Sequence, residues 1–464
     1  MSMLEQPTDN NTEIYEQQYA EQSTTYLTLD AGQDAGQKTG QDAGQRTSEG
    51  AGQGTGQDAY PYPYPYQGQG AYPYQEPEKQ GREQGRHRIG IIGLGLIGGS
   101  IALKLSEKMA VAGYDIDPST INIANSMGIA MLPSIDDVMA YADVILICTP
   151  IGSFPEIVQL LVSAWQRRSA QFPSTPPIVA DTCSVKRYIH EWAGQLRNVG
   201  IPFIGTHPMA GKHTNGIVNA QADIFEGHTW AVSITDSINL TALLTISEII
   251  LSTGSTLVPV DPITHDKSVA LVSHLPHVIA AIMSLLLQSD ELSTLDRSLV
   301  AGSFDDVTRV AGSPPELTSQ MCAANIDMLT KSLQRFSTEI ERVGHGLADL
   351  EYAPGHLNDL FTEAHRSYSQ LHAGISGKYS NEHHGYGTYS NGNPDTVSSH
   401  SAIFTLDDPQ TLTNWMLGLG RDGGRIVDIS YLDATENLIK GATIKGATEN
   451  PTEVSISFAV PPTG

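Results

Sequence analysis

The sequence predicts a doubly wound parallel α/β domain, then an all-helical domain, then a small α+β segment. Three observations carry that expectation. From Arg88 onward, short β-branched runs alternate with segments of helical apolar period, at the spacing of βαβ units. A glycine pattern, Gly93-x-Gly95-x-x-Gly98, stands directly between the first such run and the first helical segment. Beyond Pro262 the period stays helical and strand patterns stop.

The elements follow in order. Residues 1–87 repeat a Gly-Gln-Asp-Ala theme ("GQDAGQKTGQDAGQ") and then run through "YPYPYPYQGQGAYPYQ". Such a tail has few aliphatic groups to bury and is expected to be disordered, with extended conformers in the Tyr-Pro run. Residues 88–258 form the α/β domain. Its strand candidates are "RIGIIG" (88–93) and residues 109–115, 142–149, 177–181, 202–206 and 229–234. Helical patterns at 118–127, 154–168, 185–197 and 240–252 separate them. Residues 259–350 are helical, as in "HDKSVALVSHLPHVIAAIMSLLLQ". Residues 351–399 hold a helix and a linker that is rich in Gly, Tyr, Asn and His at 374–396. Residues 400–464 read as a strand ("SAIFTL"), a helix after "DDPQ" and a closing strand ("EVSISFAV").

Composition narrows the function. A chain of 464 residues exceeds one domain, at about 150 residues each. Lys and Arg number 26 against 51 Asp and Glu, a net charge of −25 with pI near 4.8. A surface that tracks nucleic-acid phosphates needs clustered basic residues, and none occurs. Cys148, Cys183 and Cys322 are far apart and read as free thiols in a reducing compartment. The N-terminus lacks the apolar core of a signal peptide. The longest apolar run in the helical region, Val278–Met283, falls far short of the ~20 residues of a membrane span. A soluble cytoplasmic protein is expected.

The glycine pattern has a mechanism in this context. The first glycine permits a tight turn, the second lets a pyrophosphate approach the backbone, and the third lets helix and strand pack closely. The helix N-terminus then offers free N–H groups to phosphate. Asp115 ends "VAGYD" about 20 residues on, where an acid accepts from the ribose hydroxyls and repels a 2′-phosphate, so NAD is the expected cofactor. Leu94, Leu96 and Ile97 of the loop, with Thr149 and Pro150, complete the expected cofactor surface. Asp117 reads as the cap of the next helix.

Ligands bind such sheets beyond the carboxyl ends of the strands. Read to their last residues, the strands end at Gly93, Asp115, Thr149-Pro150, Asp181 to Ser184 and Thr206-His207. His207 in "THPMAGKHTNG" is therefore the candidate catalytic group. His207 and His213 lack the ligand set of a zinc site, so no metal is expected. Ser184 stands outside any G-x-S-x-G elbow. His274 and His277 in "SHLPH" share one helix face, and pocket and packing roles both remain open. Arg309 offers a fork for a substrate carboxylate or for Asp305 or Asp306.

With these residues in hand, the chain resembles the prephenate/arogenate dehydrogenase family from about Arg88 to Val343. The likeness rests on "GIIGLGLIGGSIALKL", "GYDIDP", "ADVILICTPIG", "DTCSVK", "THPMAGK", "HDKSVALVSHLPH" and "TRVAGSPPEL…N" in family order. The resemblance implies a Rossmann-like NAD domain, a helical homodimerisation domain and an active site between them. It implies oxidative decarboxylation of prephenate, in which hydride passes to NAD+ and carbon dioxide leaves. His207 would accept the hydroxyl proton, and Ser184 would bind that hydroxyl or hold the imidazole. Arg309 would grip a carboxylate, with His274, His277, Lys212 and His213 as further substrate contacts. Two positions depart from the family pattern: His213 stands where many relatives have Glu, and Thr318 where Trp is frequent. Residues 400–464 look like a degenerate ACT-like domain, a site of tyrosine feedback in some relatives, with Gln410 where glycine is usual. Arogenate as substrate and a non-catalytic nicotinamide-binding regulator are the alternatives. A 3-hydroxyacid dehydrogenase relying on Lys267 is a further one.

Overall fold

The computed structural model describes residues 87–172, 174–211, 214–287, 297–348, 353–372, 399–406, 408–432, 438–439 and 453–459. The low-complexity tail, the 374–396 linker, Lys212 and His213 lie outside these residues.

The first sheet begins with β1 (Arg88–Ile92), whose last four residues are all buried, as in a strand covered on both faces. α1 (Leu96–Ser106) leaves the glycine turn and β2 (Ala110–Tyr114) follows. α2 (Pro118–Ser126) starts at Asp117, whose carboxylate accepts from the N–H groups of Ser119 and Thr120, while Pro118 sets the first helical φ. β3 (Ala130–Met131), α3 (Ile135–Tyr141) and β4 (Val144–Ile147) come next, then α4 (Phe154–Gln171) and β5 (Ile178–Asp181). α5 (Arg187–Trp192), α6 (Gly194–Asn198) and β6 (Phe203–Ile204) complete this half. The strands lie in the order β3-β2-β1-β4-β5-β6, and every pair is parallel. The doubly wound sheet expected from the alternation is present.

A second sheet starts immediately. The expected single strand at 202–206 is two: β6 in the parallel sheet, and β7 (Thr206–Pro208) in the next one. His207 therefore lies inside a strand, paired with Ala231, rather than at a strand end. β8 (Thr229–Ser233), α7 (Leu240–Leu251) and β9 (Thr256–Val260) continue this sheet, with β7 antiparallel and β9 parallel to β8.

The helical region opens with α8 (Pro262–Val269), a π turn (Ala270–His274) and α9 (Leu275–Leu286). Together they form one helix, Pro262–Leu286, which is long and apolar enough to cross a membrane by length and composition alone. Pro276 stands just after the π turn, where the regular i→i−4 ladder is already interrupted, and the helix continues through it. α10 (Gly302–Thr308), a 3₁₀ turn at Arg309–Gly312, α11 (Pro315–Ala324), α12 (Ile326–Ala348) and α13 (Ala353–His372) follow.

The C-terminal segment contributes β10 (Ser399–Thr405), α14 (Pro409–Arg421), β11 (Arg425–Leu432), β12 (Leu438–Ile439) and β13 (Glu453–Ala459). These strands pair antiparallel, and β11 adds to the edge of β9, giving the order β10-β13-β11-β9-β8-β7. Leu412, Met416, Ile426 and Tyr431 are buried in one apolar cluster with Ile246, Ile249 and Leu257. The segment thus shares a core with the α/β domain and extends its second sheet.

Candidate active site

The glycine turn has the geometry its sequence implies. Gly93 has φ +89°, a conformation L side chains rarely adopt. A Cβ on Gly98 would lie 1.9 Å from the Gly93 carbonyl oxygen, so only glycine lets α1 sit this close to the turn. Gly95, at the N-cap of α1, has no side-chain cap and open space where a Cβ would go. The ends of β1, β4 and β5 lie side by side as expected, with Cys148 N–H bonding the Ile92 carbonyl and Thr182 N–H that of Ile147, whereas Thr206-His207 belongs to the second sheet. Thr149 Oγ1 is buried with no hydrogen-bond partner among the described residues. Pro150 starts the short turn Ile151–Ser153.

Asp115 closes the other side of this turn. One of its oxygens accepts from Leu94 N–H at 2.7 Å and the other from Asp117 N–H at 2.9 Å. Leu94 thus supports the turn, with its side chain buried and its N–H already used, and does not present a donor to a ligand. Leu96 is buried and Ile97 half-buried. Open backbone at Gly95, uncapped N–H groups opening α1, an acid at the end of β2 and an unpartnered Thr149 hydroxyl fit a dinucleotide.

His207 belongs to a network that crosses from the sheet into the helical region. Its Nδ1 lies 3.0 Å from Nε2 of His265, and Nδ1 of His265 lies 2.8 Å from Oδ1 of Asp266. The carboxylate accepts only, so His265 carries its proton on Nδ1 and accepts at Nε2. His207 must then donate from Nδ1, which leaves Nε2 as its basic nitrogen. Asp266 also accepts from the backbone N–H groups of Lys186 and Arg187, at 2.7 and 2.9 Å, where α5 begins. Burial pushes the Asp266 carboxyl upward, but these bonds outweigh it and hold the group below the usual range.

Around this chain His265, Asp266 and His274 are buried, while His207 is half-buried and keeps a face open. Burial pushes the His207 imidazole well below its ordinary value, and His265, Lys186 and His274 act in the same direction. His274 is fully buried, pushed down to about 4 by burial, and its Nδ1 lies 3.3 Å from Asn325 Nδ2. Burial also lowers His277, its hydrogen bond with the Val310 backbone raises it, and the charge of Arg309 lowers it further. Arg309 itself is exposed at the start of its 3₁₀ turn. Ser184 is half-buried and has no hydrogen-bond partner among the described residues.

Of the residues singled out in the sequence, His207 meets His265 and His274 meets Asn325, so both border the network around Asp266, while Arg309 acts on His277 through its charge. The sequence reading missed His265 and Asp266, although both stand in the quoted "HDKSVALVSHLPH". Adjacent residues point in different directions from a helix, and only packing of α8 against α5 shows that both are buried. Asn325, which donates to the Asp266 carbonyl and faces His274, was also passed over. Burial lifts the thiols of Cys148, to about 12, and Cys183, so neither is a ready nucleophile.

Residues 101–258 match the family described as prephenate dehydrogenase, nucleotide-binding domain. Residues 261–359 match prephenate dehydrogenase, dimerization domain. A prephenate dehydrogenase of Lactococcus lactis subsp. cremoris is 30% identical over 269 residues, 55% of this chain and 70% of that protein. The crystal structure of prephenate dehydrogenase from A. aeolicus, in complex with hydroxyphenyl propionate and NAD+, aligns with a TM-score of 0.54 at 26% identity, covering 61% of this chain and 98% of that one. Synechocystis arogenate dehydrogenase aligns with a TM-score of 0.51 at 26% identity, covering 61% and 99%. The chain belongs to the prephenate/arogenate dehydrogenase family.

Proposed function

We propose that the chain catalyses NAD-dependent oxidative decarboxylation of prephenate to 4-hydroxyphenylpyruvate. One observation carries the reading: a neutral imidazole whose tautomer is fixed through His265 and Asp266, on the same polypeptide as a dinucleotide turn. The similar A. aeolicus enzyme with NAD+ and a hydroxyphenyl acid supports it. The cofactor would be held by Gly93, Gly95, Gly98, Asp115 and Thr149, and when bound it supplies a hydride acceptor. His207 Nε2 takes the proton of the ring hydroxyl as that carbon loses hydride. Loss of carbon dioxide then makes the ring aromatic, and the phenol oxygen recovers a proton. Burial of the network keeps His207 unprotonated at neutral pH, in the state that step needs. Arg309 pairs with a substrate carboxylate, His274 and His277 line the pocket, and Ser184 serves the hydroxyl or the imidazole.

The test is direct. Purified chain given prephenate and NAD+ is expected to yield NADH and 4-hydroxyphenylpyruvate. Tight NAD binding without turnover of prephenate or arogenate would overturn the reading in favour of a non-catalytic sensor. Arogenate is the second substrate to compare, because the Synechocystis neighbour is an arogenate dehydrogenase.

We read the helical region as the homodimer surface. The dimerization-domain match supports this, as do Leu271, Val272, Ile282, Leu285 and Leu286, exposed apolar side chains on the Pro262–Leu286 helix. The C-terminal segment is read as an ACT-like α+β element, from its strand–helix–strand order and the Asp408 cap of α14. Inhibition of turnover by L-tyrosine would assign it a feedback role.

A further inference from the structure

The parallel sheet hides an ion pair that the chemistry above does not use. Lys186 is 1% exposed and Asp181 0%, and Lys186 Nζ bonds Asp181 Oδ2. The same ammonium donates to the Thr206 carbonyl at 2.6 Å. Asp181 Oδ1 accepts from Thr206 N–H at 3.0 Å, and Thr206 Oγ1 donates to the Asp181 carbonyl. The two charges thus clamp the residue that precedes His207. The backbone N–H of Lys186 holds Asp266 Oδ1, the oxygen that also receives His265. One residue therefore reaches His207 by two routes, its backbone through Thr206 and its ring through Asp266 and His265. A buried ion pair is seldom the most stable filling of a core, so its presence asks for another reason.

We infer that Lys186 is the positioning residue of the active site, fixing His207 relative to the loop that carries Ser184. Its ammonium stays within the field of the imidazole. The groups facing His207 are His265 and His274 from the helical region and Lys186 from the loop between β5 and α5, with Asp266 behind His265 and Asp181 behind Lys186. Loss of the Lys186 charge removes a cation that disfavours protonation of His207.

The inference rests on His207 being the base, and the experiment separates the two. Wild type, His207→Asn, Lys186→Gln and Lys186→Met are assayed with prephenate and NAD+ across pH. Lys186→Gln keeps a hydrogen-bond donor without the charge, and it keeps the test open if Lys186→Met leaves Asp181 unpaired and the chain unfolded. In Lys186→Gln, kcat is expected to fall about 10- to 100-fold from misplacement, with KM for prephenate changed less than threefold. The acid limb of kcat/KM should move to higher pH. A merely structural role would lower the active fraction and leave that limb in place, and an unmoved limb overturns the inference. Full activity in His207→Asn would instead sink the assignment of the base.

Discussion

The glycine turn and the histidine network are built on opposite principles. The turn is made of backbone: Gly93 supplies a positive φ, Gly98 supplies closeness, and Gly95 leaves space. All of it lies within one βα junction, and its partner Asp115 is the end of the neighbouring strand. The network is made of side chains drawn from β5 to β7 and from α8, with Asn325 beyond them, all buried except the half-buried His207. The turn works by shape and tolerates water. The network works by charge held out of water, where each unpartnered group is costly. Damage to the turn should therefore appear in cofactor affinity, and damage to the network in kcat and in pH dependence.

Substitutions can break that division, beginning with the largest effect. His207→Asn should lower kcat about 10²–10⁴-fold while NAD affinity stays within a factor of about two. A matching loss of NAD binding would show that the regions are not separate. Arg309→Ala should raise KM for prephenate about 10- to 100-fold, the range of a charge-assisted hydrogen bond, with kcat little altered. An unchanged KM would assign Arg309 to the protein's own acids instead. Gly95→Ala meets no protein atom within 4 Å, so the melting temperature should hold. Yet the methyl stands where a pyrophosphate must approach, and Kd for NAD should rise about tenfold, or about 1.4 kcal/mol. Unaltered NAD binding in that variant would place the cofactor elsewhere.

The smallest effect is on stability. His190 and His274 are held neutral by burial, down to about 3 and about 4. An unfolded imidazole titrates near 6.5, so below that pH the unfolded chain binds protons the folded chain cannot, and stability falls as pH falls. Each contributes up to about 1.4 kcal/mol per pH unit across that window. Glu248, raised to about 7 by burial, opposes this, since its contribution is lost as pH rises through 7. Two imidazoles outweigh one carboxyl below 6.5, so the melting temperature should drop between pH 6.5 and 5. A constant or rising value would refute the buried neutral histidines.

The same division explains what the sequence could tell. Gly93, Gly95, Gly98 and Asp115 were legible because their chemistry is local and their order along the chain is the motif. Asp117 was legible as a cap for the same reason. His265, Asp266 and Lys186 were not, because a charged residue is buried only through contacts between distant elements. Nothing in "HDK" or "SVK" shows that α8 will pack on the start of α5. The break between β6 and β7 was equally hidden, since "PFIGTHP" keeps one strand-like pattern while its two halves join different sheets. Of the C-terminal strands, β10 and β13 were legible in "SAIFTL" and "EVSISFAV", whereas β11 and β12 were not read at all. The pairing of β11 with β9 could not be read either, because Ile426 and Leu257 meet across 169 positions of sequence, from position 257 to 426.

The pH dependence of kcat/KM for prephenate tests the account most directly, because it reports the free enzyme's base. An imidazole at His207 held well below its ordinary value predicts an acid limb well under 6.5. An acid limb at or above 6.5 would mean a solvated imidazole, and would contradict the site described above.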